Sequence, residues 1–460
     1  MTQQKYLIDK RHISIILFQK LYKPAVFFIL IGLLLLWERH PDITGLSNNA
    51  HDTLGIFFLC VILWITNLIP PAITGFTGIV LLVISKALRP EEVYQMFFTE
   101  PVFFILSAFA IAAGMRKTGV ARRITLWFIS LKGRLPLRAR LYIMSAVLSM
   151  LMPEYAVAAM LIPIVLESGT GYKKSELVSV MWGTQIGGLA TLLGGARGPL
   201  TIAILKATKG IDISFLQWSA AAFPVALILL IIGYWIISLF FKDENKPAIE
   251  LGNPPGIIRF EEMIMLGIVI LTVTGWILYG TSVGLAGIGL IAIIMLFVFG
   301  ILKVEDLTRR IDWSIIIMYG SAISIGFALN KTGGATWLGT YSSLIFPGVI
   351  STTIGLFFIA VIMTEFVSHS AVVAALLPVG IGMSERLGIN PVIMSIGIGL
   401  ASGMAFIFPF SSPGNMIAYS SGAIKLKDLA LPGFIMLFIS IIILFLAVEF
   451  YYPVLGYGKI

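Results

Sequence analysis

The feature that most constrains this chain is a pair of interruptions in apolar sequence, made twice. Met152-Pro-Glu-Tyr-Ala-Val-Ala-Ala-Met-Leu-Ile-Pro163 and Val367-Ser-His-Ser-Ala-Val-Val-Ala-Ala-Leu-Leu-Pro378 share Ala, Val, Ala, Leu and Pro in register at an offset of 215 residues. The same offset carries Ala190 onto Ala405. These residues head Thr191-Leu-Leu-Gly-Gly-Ala-Arg-Gly-Pro-Leu-Thr-Ile202 and Phe406-Ile-Phe-Pro-Phe-Ser-Ser-Pro-Gly-Asn-Met-Ile417. Each copy therefore holds a small or polar kink inside an apolar stretch, followed by a Gly/Pro/Ser break. Non-helical backbone within an apolar span is tolerated only where it lines a cavity or is buried in protein. The four breaks are expected to meet at one internal site.

The rest of the chain supplies the apolar setting. It is 58% hydrophobic and 12% charged, against roughly 25% charged in soluble domains. This is the composition of a polytopic membrane protein, all-α, in the inner or plasma membrane. The single Cys60 excludes an internal disulfide. The basic start (Lys5, Lys10, Arg11, Lys20, Lys23) precedes an apolar run without a small-residue cleavage site, which predicts a retained first helix. Residues 1–24 are expected to be a cytoplasmic segment and 25–241 the first half, with a re-entrant hairpin at 141–166 and a broken helix at 177–205. Residues 242–262, with Pro247, Pro254 and Pro255, read as a cytoplasmic linker. The second half, 263–460, is expected to hold a hairpin at 344–381 and a broken helix at 392–419.

Counting about twenty apolar residues per span, and letting each hairpin enter and leave on one side, gives eleven spans with the N-terminus inside and the C-terminus outside. Of 32 Lys and Arg, 23 then fall in inside loops, eight outside, and Arg197 within a span. That asymmetry satisfies the positive-inside rule. The eight basic residues of Gly114–Arg140 are expected in a cytoplasmic loop that touches anionic lipid. The halves then form an inverted repeat, and paired broken segments in such repeats mark a transporter's binding site.

Four stretches carry a resemblance: Trp64-Ile-Thr-Asn-Leu-Ile-Pro, Phe104–Gly119, Met363-Thr-Glu-Phe-Val-Ser-His-Ser-Ala371 and Ser411-Ser-Pro-Gly-Asn415, in that order along the chain. From about Pro24 onward it resembles the divalent anion/sodium symporter family of dicarboxylate, citrate and sulfate carriers. The resemblance implies a homodimer with a fixed scaffold and a transport domain that crosses the membrane as an elevator. It implies a small anionic substrate, sodium as coupling ion, and sodium ligands at Ser149, Thr364 and Ser411. Departures stand at the tips: the family's Ser-Asn-Thr is replaced by Pro153-Glu154-Tyr155 and Ser368-His369-Ser370, and the first break gains Arg197.

The residues themselves predict how an anion is held. A hairpin tip begins a helix whose first N–H groups lack partners and carry partial positive charge. Backbone N–H groups and the hydroxyls of Ser368, Ser370 and Ser412 can bind a carboxylate or sulfate there; plain helix capping by each Ser is the alternative. Pro413 and Asn415 belong to the same break. Arg197 has two readings: bidentate contact with the substrate, or a structural ion pair with Glu154. Tyr155 either donates to substrate or packs. Glu154 and His369 occupy equivalent positions and are candidates for cation ligation or proton coupling, with Gly194 and Gly195 beside them. Glu365 is expected to orient the His369 ring. His12, His40 and His51 read as loop or terminal residues without metal-ligand spacing.

The expected function is secondary transport of small di- or tricarboxylates or sulfate, coupled to sodium or protons. No other cofactor, no enzyme activity and no nucleic-acid partner is expected. A cation/proton antiporter and a non-transporting membrane sensor are the alternatives.

Overall fold

The structure is a computed structural model that describes residues 13–39, 45–130, 135–167, 174–241, 256–342 and 348–458. Those residues are mostly helical, with no strand among them. The first helix is α1 (Ile13–Glu38). Then come α2 (Asn48–Thr66), α3 (Pro71–Ile84), α4 (Pro90–Phe97), α5 (Glu100–Thr118) and α6 (Val120–Ser130). The first hairpin region is α7 (Leu137–Ser149) and α8 (Glu154–Glu167), followed by α9 (Lys174–Gly187), α10 (Arg197–Lys209) and α11 (Phe215–Phe240). The second half begins with α12 (Phe260–Tyr279), α13 (Leu285–Val298), α14 (Val304–Arg310), α15 (Trp313–Lys331) and α16 (Gly334–Ser342). It ends with α17 (Val349–Thr364), α18 (His369–Leu387), α19 (Pro391–Ala401), α20 (Pro413–Ser420) and α21 (Leu426–Leu446). A 3-10 turn, Pro409–Ser411, precedes α20, and a π turn, Ala447–Tyr451, follows α21.

The 215-residue offset reaches well beyond the two motifs. It carries the ten helices α2 to α11 onto α12 to α21, and their starts agree within four residues. Helix α1 stands outside the duplication. Among the described residues, eight stretches are long and apolar enough to cross a membrane, and five further apolar helices run 10–17 residues. Those five include α8, α17 and α19, the segments beside the breaks. They are short because a polar or Gly/Pro interruption ends the apolar run.

Packing interlaces the repeats. Helix α5 lies on α13, and its counterpart α15 lies on α3. Within each half the first hairpin arm packs on the first part of the broken helix, α7 on α9 and α17 on α19. Between halves, α8 packs on α20 and α18 on α10. That exchange brings the four breaks together at the centre. The Trp64 motif is a turn: its indole N–H donates to the Pro71 carbonyl at 3.2 Å. Asn67 closes α2 with φ 47, a left-handed conformation that Asn tolerates better than most residues.

Three expectations change. The basic run is largely helical: Gly114–Thr118 closes α5, and α6 and the start of α7 follow. Among its described residues, Lys117 pairs with Asp306 at 2.6 Å and Arg123 with Glu262 at 2.8 Å. The Lys117 hydrogen bond holds the Asp306 carboxyl well below its usual range. His51 lies within α2, buried and stacked on Trp37 at 4.6 Å. Four short helices, α4, α6, α14 and α16, were not expected. The N-terminal residues through 12 and most of the expected linker, 242–255, lie outside the described residues.

The closeness of α7 and α9 rests on glycine. A Cβ on Gly183 would stand 2.7 Å from the Tyr142 carbonyl and against the Ser145 hydroxyl. Gly267, on α12, has nothing within 4 Å. Gly183→Ala is therefore expected to destabilise by about 1–3 kcal/mol through overpacking, while Gly267→Ala leaves stability unchanged or raises it by up to about 1 kcal/mol. Thermal unfolding of the two detergent-solubilised variants checks this.

Candidate functional site

The first hairpin tip places Glu154 at the start of α8. Its N–H donates to the Gly194 carbonyl at 2.9 Å, which ties the tip to the break between α9 and α10. Its side chain is buried and turns to two partners. Oε2 accepts from Arg197 Nη1 at 2.8 Å, and Oε1 lies 3.0 Å from His369 Nε2, short of in-line hydrogen-bond geometry. Arg197, the first residue of α10, is 2% exposed and also reaches the Gln185 carbonyl at 3.5 Å. The two repeats therefore meet in one buried cluster of Glu154, Arg197 and His369.

The ring of His369 is fixed from behind by Thr364. The Thr364 hydroxyl donates to the Ser402 carbonyl at 2.6 Å and lies 2.7 Å from His369 Nδ1. A hydroxyl has one proton to give, so Nδ1–H is the donor in that contact. Nε2 then faces Glu154 either as a lone pair or, in the imidazolium, as N–H. Glu365 does not orient the ring as expected. Its carboxylate instead accepts from the N–H groups of Phe406 at 2.7 Å, Ile407 at 3.1 Å and Phe408 at 2.9 Å. Those are the orphan donors of the second break. In the first repeat Thr191 does the equivalent work: its hydroxyl donates to the Met150 carbonyl at 2.6 Å and accepts from Leu193 N–H at 3.2 Å.

A cavity of about 250 Å³ opens on the cluster. It brings together Glu154, Tyr155, Gly195, Arg197, Ser368, His369, Ser370 and Ser411 of the expected residues. Ser368 sits at the N-cap of α18 with no capping bond from its hydroxyl, and it is exposed to the cavity. Ser370 pairs with the Tyr319 hydroxyl at 2.9 Å. Tyr155 packs edge-on against Phe109. Ser412 is a capping residue, accepting from Asn415 N–H at 3.1 Å, and Pro413 is the first residue of α20. Ser411 donates to the Phe408 carbonyl at 2.7 Å and accepts from Asn415 Nδ2 at 2.9 Å. Ser412, Asn415, Ser149, Gly194 and Thr364 stand outside the cavity lining.

Sequence reasoning missed Asp312 and Gly188. Asp312 caps α15 through Ser314 and Ile315 N–H and lines this cavity. It also borders a neighbouring cavity of about 850 Å³ that carries Arg116, Arg122, Arg309 and Arg310. Tyr155 is shared by the two cavities. Gly188 matters for what surrounds it. Where its Cβ would stand, the Gly194 carbonyl is 2.8 Å away, Ser149 Oγ 3.0 Å and Glu154 Oε2 3.1 Å. Ser149 Oγ is fully buried and has no hydrogen-bond partner among the described residues. The repeat offset, which pairs Gly188 with Gly403, was the available signal.

Removing one partner of a buried ion pair leaves an uncompensated charge, at about 3–5 kcal/mol. Glu154→Leu alone is expected to lower stability by that order, and Glu154→Leu with Arg197→Met to recover most of it. A double-mutant cycle of thermal melts reads the coupling; additive losses would show that the pair contributes no coupling.

Comparison with known proteins agrees with this architecture. The family described as "Sodium:sulfate symporter transmembrane region" matches residues 18–457. The sodium-dependent dicarboxylate transporter SdcS of Staphylococcus saprophyticus is 26% identical, over 89% of this chain and 88% of its own. SdcS of Staphylococcus aureus is 28% identical, over 98% of this chain and 97% of its own. Among solved structures, Neisseria gonorrhoeae MtrF, titled as illuminating a class of antimetabolite efflux pumps, shares the fold at TM-score 0.56 and 14% identity. The alignment covers 92% of this chain and 94% of MtrF. With the family match spanning nearly the whole sequence, this multi-pass, all-helical membrane chain belongs to the sodium:sulfate symporter family of transporters.

Proposed function

We propose that this protein is a secondary active carrier of small divalent anions, with dicarboxylates as the first class to test, driven by sodium. The observation that supports sodium coupling is the set of three oxygens gathered beside Gly188. A carbonyl, a hydroxyl and a carboxylate oxygen converge there, and hard cations are held by oxygen ligands of this kind. The anion is received in the adjoining cavity by the Ser368 and Ser370 hydroxyls, the start of α18 and Arg197. The arginine-rich cavity beyond Tyr155 and Asp312 draws anions toward it by charge. The mechanism in this reading is elevator movement of the two hairpins with the two broken helices, in a homodimer. The N-terminus is placed inside and the C-terminus outside, in the plasma membrane.

Proton coupling is a second reading, and one observation favours it. Glu154 Oε1 and His369 Nε2 stand 3.0 Å apart with His369 Nδ1–H already committed to Thr364. The pair can therefore exchange one proton between a neutral and a charged state.

Uptake of radiolabelled succinate, malate, citrate and sulfate into sealed proteoliposomes tests both readings. An inward sodium gradient is expected to drive accumulation, and Gly188→Ala, which puts a methyl group among these three oxygens, to lower it at least tenfold. Uptake driven by a pH gradient without sodium, and lost in Glu154→Gln, would replace sodium by the proton. Cation flux with no dependence on any anion would replace the symporter by an antiporter. Ligand binding without flux would leave a sensor.

A further inference from the structure

The repeat offset carries Gly188 onto Gly403, Ser149 onto Thr364 and Glu154 onto His369. The two copies of this position do not hold the same chemistry. Beside Gly188 stand three oxygens. Beside Gly403, where a Cβ would be, stands the side chain of Arg197: its Cζ is 2.6 Å away and its Nε is in contact. Leu189 Cδ2, at 2.7 Å, closes the remaining room. The hydroxyls differ as well. Ser149 Oγ is buried and unpartnered among the described residues, whereas Thr364 Oγ1 is engaged by both the Ser402 carbonyl and His369 Nδ1. The first copy presents three oxygens, one of them the unpartnered Ser149 hydroxyl; the second presents a guanidinium and an imidazole.

We propose that Arg197 is a tethered cation: seated against Gly403 and bridged to Glu154, it fills the second repeat's counterpart of the Gly188 position, so that the protein binds one sodium ion per chain, through the first repeat alone. This rests on the reading of a sodium-driven carrier. Space, ligands and charge point the same way. The guanidinium occupies the volume that a mobile ion would need. The hydroxyl equivalent to Ser149 already has one of its two lone pairs taken by an imidazole N–H. A guanidinium stays charged at every physiological pH, and in a buried site it repels a second cation strongly. Glu154 serves both positions, with Oε2 beside Gly188 and bonded to Arg197 Nη1. One carboxylate thus balances one fixed and one mobile cation, and the surplus positive charge is left for the anion. Substitution of a fixed charge for a mobile one lowers the number of ions that the gradient spends on each substrate.

Equilibrium binding of radioactive sodium to the purified full-length protein in detergent decides it. The expected result is one sodium per chain in the wild type. Gly188→Ala is expected to bind none, and Ser149→Ala to bind at least tenfold more weakly. Arg197→Ala, which vacates the space at Gly403, is expected to bind two. Two sodium ions on the wild type would overturn the tethered cation while leaving a sodium-driven carrier standing. One sodium on both the wild type and a folded Arg197→Ala would also overturn it. No binding to the wild type would overturn the sodium reading itself, and this proposal with it. If Arg197→Ala does not fold, the wild-type count and the Gly188→Ala result still decide between one site and two.

Discussion

Everything at the centre of this molecule depends on satisfying backbone groups where helices stop inside an apolar body. An unpaired N–H or carbonyl there costs far more than at a water-facing surface. Each repeat solves the problem with a clasp from the hairpin to the break. In the first, Thr191 joins Met150 to Leu193, and the Gly194 carbonyl takes the Glu154 N–H. In the second, the Glu365 carboxylate takes three successive N–H groups. The clasps make one packed body of each hairpin and its broken helix. The contacts of α8 with α20 and of α18 with α10 join the two bodies.

The buried charges follow from that geometry. Once Glu154 is fixed at a helix start and Arg197 at another, the pair forms at 2.8 Å because neither ion is stable alone at that depth. His369 arrives from the other repeat and touches the same carboxylate. In the proposed reading, a cation site and an anion site separated by a single carboxylate feel one electrostatic field. Binding of one therefore changes the affinity for the other, and that reciprocity is the physical content of coupling.

The pseudo-symmetry is strict in backbone and loose in chemistry. Helix starts agree within four residues across the halves, yet Glu154 is matched by His369, Thr191 by Phe406 and Arg197 by Ser412. A shared backbone conserves where the breaks fall, and side chains then divide the labour. The first repeat supplies the three oxygens beside Gly188 and the arginine. The second supplies the exposed Ser368 hydroxyl, the imidazole and the carboxylate clasp.

The sequence by itself determined the membrane class, the repeat and the breaks. Apolar length and interruption are local properties, and a 215-residue offset is visible without coordinates. It also raised Arg197 with Glu154, because a charge within an apolar span needs a partner and few were in reach. Tertiary structure alone decided which partners the remaining groups took. Four residues of helical spacing put Glu365 on the face of His369, but folding brought the 406–408 backbone to Glu365 and gave the ring to Thr364. Gly188 and Gly403 look alike in sequence, and only folding puts oxygens of the first hairpin and first break beside one and the Arg197 guanidinium against the other. Helix periodicity fixes which residues share a face; the three-dimensional crossing of two interlaced repeats fixes which faces meet.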